Sequence, residues 1–410
     1  MLIQVFEWST LKVADKALTE KQFVLLVKWQ DTQRCRYFEI KHRAIRFTNW
    51  VGVIQVGKLV IEVLPKASAV NASNNEIESL DSIRKWKTAL INMLVRSKTL
   101  KFRNPKLLAN LDVAKVSLFD ILFEQYLIEV EGLFHKGIIK KYIKTERNNG
   151  SLKGKLLVHE NLQKNIIHKE RFYTAFDEYT VDNLWNRIIY NGILKLADKV
   201  SNPLLRAKAK EIEYAFPDWR TQKIESNDFD KLQYSRNSQH YKPAIELAKL
   251  ILLDMNPITS KGDNQVISLF YDMNLLWESW LLATLKNSYK DNNEVKIIGK
   301  KVRTFWESKE HSLKKVLETD ILISRNDVNI VLDAKWKIPK ANTPDDGDIK
   351  QMFAYNRLWD SNEAWLCYPK VDHRIGINGQ FSDKCGSTLG MHFFEIFKDN
   401  CLVKKLELPI

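Results

Sequence analysis

Apolar and polar positions recur with two different periods along the chain, and the change of period divides it. Val51-Gly52-Val53-Ile54-Gln55-Val56 and Leu59-Val60-Ile61-Glu62-Val63-Leu64 are short β-branched runs separated by Gly57-Lys58 and closed by Pro65. That is the pattern of two strands joined by a tight glycine-containing turn. Phe23–Trp29 is a further apolar run. The N-terminal region up to Pro65 therefore reads as strands. Ala67–Glu76 is small and polar and predicts a loop. Over 83–97 the apolar residues Trp86, Leu90, Ile91 and Leu94 fall three and four apart, which predicts a helix. Helical spacing then dominates the middle of the chain. It appears at Leu118–Val130, at Val181–Leu196, and at Pro243–Leu253, where Pro243 suits a helix start. Residues 256–264 are rich in turn formers and place a domain boundary. Beyond it the order is a helix (Met273–Leu285), strands at Val295–Ile298, Lys301–Phe305, Thr319–Ile323 and Ile330–Trp336, a helix (Asp348–Leu358) and a strand at Glu363–Tyr368. The expected architecture is α+β and multidomain: a β-rich N-terminal domain over 1–110, a mainly helical middle region over 111–262, and an α/β C-terminal domain over 263–410.

Composition agrees with a folded chain of more than one domain. Its 410 residues are 45% apolar and 28% charged, with only 14 Gly and 10 Pro, which excludes collagen-like and linker-dominated architectures. No apolar run approaches the ~18–20 residues that span a bilayer, and the N-terminus lacks a basic segment followed by an apolar one. The four cysteines form no Cys-x-x-Cys pair, so a reducing cytoplasm is expected. The 64 Lys/Arg exceed the 50 Asp/Glu, a net charge of +14. Residues 271–410 hold 21 basic and 20 acidic side chains, so nearly all of the surplus lies before Tyr271. Lys136, Lys140, Lys141, Lys144, Arg147, Lys153 and Lys155 concentrate part of it, interleaved with Phe134, Tyr142 and Leu152. Such density suits a polyanionic partner, and equally a solvated lysine-rich face.

The candidate chemistry lies in the nearly neutral part. Thr319–Ile323 and Ile330–Trp336 flank Ser324-Arg325-Asn326-Asp327-Val328-Asn329. A two-residue turn centred on Asn326-Asp327 sets Asp320 opposite Asp333 and Glu318 opposite Lys335, all on one face. Two opposed carboxylates repel unless a cation lies between them. A hard divalent ion with oxygen ligands, Mg²⁺ first among them, removes that penalty and activates water towards a phosphodiester, and Lys335 is placed to orient the water or stabilise the developing charge. Asp-x-Lys tripeptides are common on charged surface hairpins. Here Ile330-Val331-Leu332 is a continuous apolar run suited to a strand buried on both faces, with the charges abruptly at its end. The next helix sets Asp348, Gln351 and Tyr355 on one side. Upstream, Glu278 stands alone among Trp277, Trp280 and Leu281, either facing the site or reaching water from the helix flank.

The order Glu278, Asp320, Asp333-Ala334-Lys335, Gln351 and Tyr355 resembles the PD-(D/E)xK nuclease superfamily, with Thr319 in place of the proline. Lys58–Lys66, Leu152-Lys153-Gly154-Lys155, Asp182-Asn183 with Asn186-Arg187, Ser235-Arg236-Asn237 followed by Tyr241, and Phe270–Glu278 are similar to segments of the McrC family. The resemblance implies the nuclease subunit of a modification-dependent restriction system. It implies a partner, a McrB-type AAA+ ring that hydrolyses GTP, with an N-terminal region of this chain entering the ring and stimulating it. The C-terminal domain is then the nuclease, with Asp320, Asp333 and Glu278 on Mg²⁺ and with Lys335 and Gln351 completing the catalytic set on double-stranded DNA. No G-x-x-x-x-G-K-[ST] loop is present, since Gly150 and Gly154 are separated by three residues and Leu156 follows Lys155, so GTP is expected on the partner. Two further readings use the same residues: a ring-binding GTPase activator whose nuclease fold is inactive, and a RecB-like repair nuclease.

Overall fold

The computed structural model describes residues 1–13, 18–66, 80–97, 116–200, 202–217, 219, 223–254, 266–310, 312–339, 342–371, 373–382, 386–398 and 401–409. The loop expected over 67–76 and the boundary expected at 256–264 lie outside the described residues. The chain forms two compact units, one of Met1–Leu118 with Pro257–Ile410 and the other of Phe119–Asn256. The segments expected as an N-terminal and a C-terminal domain thus share one unit.

The first unit opens with strands β1 (Leu2–Phe6) and β2 (Thr10–Lys12), helix α1 (Glu20–Asp31), strands β3 (Phe38–Lys41), β4 (Ala44–Phe47), β5 (Trp50–Val56) and β6 (Leu59–Leu64), and helix α2 (Leu80–Arg96). The expected hairpin is present: Val56 pairs with Leu59 across a turn in which Gly57 takes φ 58°. Phe23–Trp29, read as a strand, is helical. Thr19 accepts a hydrogen bond from the Gln22 N–H while the Gln22 side chain accepts from the Thr19 N–H, a reciprocal cap that satisfies two of the helix's orphan donors. The apolar residues of α1 then bury Leu26 and Trp29 against Phe38, Phe47 and Ile54. Behind this sheet Glu62 and Lys87 are fully buried with their charges 2.6 Å apart. Glu62 also accepts from Gln4 and from the Leu118 N–H, and Lys87 donates to the Val116 carbonyl. The pair joins β6, α2 and the chain entering the next helix.

The second unit contains helices α3 (Leu118–Lys136), α4 (Val158–Lys164), α5 (Leu184–Lys199), α6 (Pro203–Tyr214), α7 (Ser226–Asp230) and α8 (Lys242–Lys249). It also holds a three-stranded sheet that helical spacing did not disclose, in the order β7 (Lys141–Asn149), β9 (Phe172–Thr180), β8 (Lys155–Leu156). Seven of the nine residues of β7 are polar or charged, with Tyr142 on one face and Ile143 on the other, so its alternation carries little apolar signal. The polar residues of the McrC-like segments here are structural. Asn183 caps α5, Asn186 donates to the Ile139 and Val181 carbonyls, Tyr241 donates to Asn186 at 2.8 Å, and Arg187 grips Asp182.

Returning to the first unit, β10 (Val266–Asp272) pairs antiparallel with β5 and completes a sheet of order β1-β6-β5-β10. This pairing is why the N- and C-terminal segments form one body. Gly52 of β5 takes φ 142°, and a Cβ there would stand 2.0 Å from the Leu269 carbonyl oxygen. The remaining elements used below are α9 (Met273–Ser288), β11 (Val295–Glu307), β12 (Lys314–Arg325), β13 (Val328–Ala334), α10 (Asp346–Leu358), β14 (Ser361–Lys370), β15 (Asn378–Gln380) and β16 (Thr388–Glu395). β11 to β16 make a six-stranded sheet of order β11-β12-β13-β14-β16-β15, mixed in direction. The two strands expected at Val295–Ile298 and Lys301–Phe305 are one long bulged strand. α10 packs Met352, Tyr355 and Trp359 onto Val331, Leu366 and Tyr368.

Candidate active site

The turn at Asn326-Asp327 sets the site's geometry. Both residues take positive φ, 46° and 65°, which is the type I′ turn that a two-residue hairpin favours. The register follows from it: Arg325 pairs with Val328, Ser324 with Asn329, and so on to Ile321 with Leu332. Asp320 and Asp333 stand one step beyond the last pair. On its other side β13 runs parallel to β14, with Asp333 beside Leu366 and Ala334 beside Cys367. The Lys335 N–H donates to the Cys367 carbonyl at 2.9 Å, so the Asp-x-Lys backbone is clamped by a buried neighbour. Asp320 accepts from the Ala334 N–H at 2.8 Å.

The charges are desolvated. Asp333 is 1% exposed, and burial raises its carboxyl above the ordinary carboxylate range even with Lys335 alongside. Burial, then repulsion from Asp333 and Glu278, pushes Asp320 up to about 7. The Lys335 ammonium lies 2.6 Å from Asp333 and 3.6 Å from Asp348, and donates to the Gln351 side-chain oxygen at 3.2 Å. Burial pulls the Lys335 ammonium down, but Asp333 and the other carboxylates outweigh it and hold its pKa above the usual lysine value. Gln351 is held in turn by Tyr355, whose hydroxyl donates to the Glu318 carbonyl at 2.6 Å. The helix face expected to carry Asp348, Gln351 and Tyr355 is therefore brought onto Lys335.

Glu278 projects from α9 and is 6% exposed. Burial raises its carboxyl, opposed by the Lys300 ammonium 2.7 Å away. The Glu318 side chain lies 3.5 Å from Lys300 rather than at Lys335, because the β12–β13 ladder ends before residue 318 and β12 there pairs with β11. Sequence reading missed two cations of the site. Lys300 is hidden by two of the three bulges in the β11–β12 ladder, which flank it. Lys337, 2.7 Å from Asp348, was legible, since it continues the alternation of Asp333 and Lys335.

Asp333 Oδ2 and Glu278 Oε1 are buried beside ammonium groups but without an aligned hydrogen bond. Underpaired oxygens of this kind, on Asp333 and beside Asp320, fit a hard divalent cation, and Mg²⁺ needs only one or two carboxylates. Among the described residues no group of three His, Cys, Asp or Glu side chains is drawn together as a complete ligand set. Lys300 engages Glu278. No helix among the described residues is long and apolar enough to cross a membrane.

Comparison with known proteins bears on this arrangement. The chain is 23% identical over 265 residues to the type IV methyl-directed restriction enzyme EcoKMcrBC of Escherichia coli (strain K12), covering 59% of this chain and 75% of that protein. Its fold is similar to a chain of the refined half-complex from the tetradecameric assembly of Thermococcus gammatolerans McrB AAA+ hexamers with bound McrC. The TM-score there is 0.70 at 19% identity, over 98% of this chain and 97% of that one. A chain of the cryo-EM structure of the T. gammatolerans McrBC complex matches with TM-score 0.51 at 20% identity, over 69% and 86%. The family model described as McrBC 5-methylcytosine restriction system component matches residues 45–369, and the chain belongs to that family.

Proposed function

We propose that this chain is the McrC-like endonuclease subunit of a McrBC-type restriction system, cutting DNA by Mg²⁺-dependent phosphodiester hydrolysis in a PD-(D/E)xK domain. The observation that carries the reading is the pair of desolvated carboxylates, Asp320 and Asp333, raised in pKa and flanked by Lys335, on two interior strands of a mixed sheet. Mg²⁺ on Asp320 and Asp333 supplies a Lewis acid that neutralises phosphate oxygens and acidifies water. Lys335, steadied by Gln351 and Asp348, presents its ammonium where charge develops on the phosphoryl group. Gln351 and Tyr355 fix that ammonium's direction. Glu278 adds negative charge from α9 and keeps Lys300 at the site's margin.

The partner in this reading is a McrB-type AAA+ ring, by analogy with the assembly of McrB hexamers with bound McrC that the fold resembles. GTP belongs to that ring, and the DNA is double-stranded. The test is reconstitution with the ring, reading GTP hydrolysis and cleavage of methylated and unmethylated duplexes separately. Asp333→Ala and Lys335→Ala should each lower cleavage by at least about 100-fold while stimulation of GTP hydrolysis persists. Undiminished cleavage by either variant overturns the assignment. Stimulation without metal-dependent cleavage on any DNA by the unaltered chain points to an inactive nuclease fold, and cutting of free ends without the ring points to a repair nuclease.

A further inference from the structure

Two backbone irregularities place Lys300. Gly299 pairs with Leu322 and Lys301 with Thr319, so Lys300 by itself faces both Asp320 and Ile321 across the β11–β12 ladder. A further register shift lies between Ile297 and Gly299, and Gly299 takes φ 89°. A Cβ at Gly299 would come within 3.3 Å of the Leu282 side chain, so the irregular backbone lies close against α9, the helix that carries Glu278. Bulges re-aim side chains next to active sites. These two aim the Lys300 ammonium at Glu278, 2.7 Å away, with Glu318 at 3.5 Å.

Four carboxylates meet here. Asp320 is repelled by Asp333 and Glu278, and Glu278 by Glu318 and Asp333. Two ammonium groups serve them from different strands. Lys335 lies against Asp333 and Asp348, Lys300 lies against Glu278 and Glu318, and Asp320 is a charged neighbour of both. Among the described residues, Glu278 has its ion pair with Lys300 and is not drawn together with Asp320 and Asp333 into one ligand set. Stability does not account for the Lys300–Glu278 pair. A buried ion pair is often no better than a well-packed apolar one. Trp277, Trp280 and Leu281 surround Glu278 in the sequence, and the Lys300 side chain is 47% exposed. What the pair supplies is a positive charge at a fixed point among carboxylates. Two-metal phosphodiester sites place a second divalent ion about 3.5–4 Å from the first. An ammonium neutralises carboxylates as such an ion does, but it neither binds water as a ligand nor acidifies it.

We infer that Lys300 is a positioning residue that serves as the second cation of the site: its ammonium holds Glu278 away from the metal, so that Asp320 and Asp333 take one divalent ion and Glu278 takes none. This deepens the nuclease reading above and rests on it. Glu278, which the family resemblance places on Mg²⁺, is in this view a counter-charge that fixes the Lys300 ammonium beside Asp320. Lys335 does the same for Asp333 from the opposite strand of the hairpin. The single ion then has two carboxylates for protein ligands, enough for Mg²⁺, which keeps several waters.

The test counts Mn²⁺, a paramagnetic substitute for Mg²⁺, on the full chain by electron paramagnetic resonance. Binding that survives in Asp320→Asn is subtracted as adventitious. The parent should hold one ion. Lys300→Ala should hold two, since it frees Glu278 and Glu318 and leaves room for an ion with its waters. Lys300→Arg and Lys300→Ala/Glu278→Gln should each return to one. Glu278→Gln alone should change the Mn²⁺ affinity by less than about tenfold, and this arm decides the matter even where Lys300→Ala does not fold. Two ions on the parent, one on a folded Lys300→Ala, or a loss beyond about tenfold in Glu278→Gln overturns the inference. A parent that takes no ion overturns it together with the metal site proposed above. Duplex cleavage by the unaltered chain with its ring is scored separately. One ion on a chain that never cuts refutes the nuclease reading and keeps the role of Lys300. Cleavage by a chain that holds two refutes the role of Lys300 and keeps the nuclease reading.

Discussion

Glu7 follows β1 and is 4% exposed, in the N-terminal sheet rather than in the candidate active site. One carboxylate oxygen accepts from the Trp336 indole N–H and from the Lys66 backbone N–H, both at 2.7 Å, and the other is buried without a hydrogen bond. Burial, reinforced by nearby Asp272, pushes this carboxyl up from 4.5 to about 8. A raised carboxylate pKa means that the folded state holds its proton more tightly than the unfolded chain. The contribution to stability is complete below 4.5 and is lost as pH rises through 8. At ~1.4 kcal/mol per pH unit the whole loss is on the order of 5 kcal/mol.

Glu7→Gln keeps an acceptor for Trp336 and Lys66 and cannot ionise. Near pH 5 the variant should be no more stable than the parent, since its amide is left with an unpaired N–H. From there to pH 8 the parent should lose ~1.4 kcal/mol per pH unit relative to the variant. For a unit of this size that is roughly 3 °C of melting temperature per pH unit. Thermal scans of both proteins at half-unit steps provide the assay. Everything else that titrates is shared, so only the difference between the curves matters. Parallel curves from pH 5 to 8 would refute the reasoning.

Two further perturbations read the framework around the site. Lys87→Met removes one partner of a pair with no exposure on either side and leaves Glu62 as an uncompensated buried charge, so a loss of about 3–5 kcal/mol is expected in denaturant titrations, with Glu62→Gln in the same chain recovering much of it. Gly52→Ala drives a Cβ into the Leu269 carbonyl from a backbone angle that L-residues seldom adopt, and β10 amides should lose hydrogen-exchange protection while those of β14 keep theirs.

What was legible in the sequence followed from local chemistry. Asn326-Asp327 set a turn, the turn set a register, and the register put Asp320 beside Asp333 without any knowledge of the remaining strands. The helix face of Asp348, Gln351 and Tyr355 came from spacing alone. What stayed hidden depended on pairing at long range. Glu318 was expected opposite Lys335, but β12 loses β13 as a partner beyond Ile321 while it stays paired with β11, and no local pattern records where a ladder ends. Lys300 was masked by the β-bulges that flank it in β11. Phe23–Trp29 misled because an apolar run of seven fits either period, and the deciding signal, Thr19 with Gln22, lies before the run and not in it.

The division of charge along the chain has a counterpart in the fold. Glu7, Glu278, Asp320 and Asp333 lie in one unit, and burial raises the pKa of each. They are linked through aromatic side chains: Trp336 joins Glu7 to the strand of Asp333, and Trp277 packs on Trp336 and donates to the Cys367 carbonyl beside Ala334. Desolvated like charges destabilise a fold unless something offsets them. Lys335 and Lys300 do so for Asp333 and Glu278, but among the described residues Asp320 forms no ion pair and accepts from one backbone N–H, with Lys335 offsetting its charge only in part. The least compensated carboxylate of the site is thus the one that stands across the hairpin from Asp333, where the divalent cation proposed above would relieve both. A site built only for stability would have placed a third lysine there, and the sequence places a threonine and an aspartate.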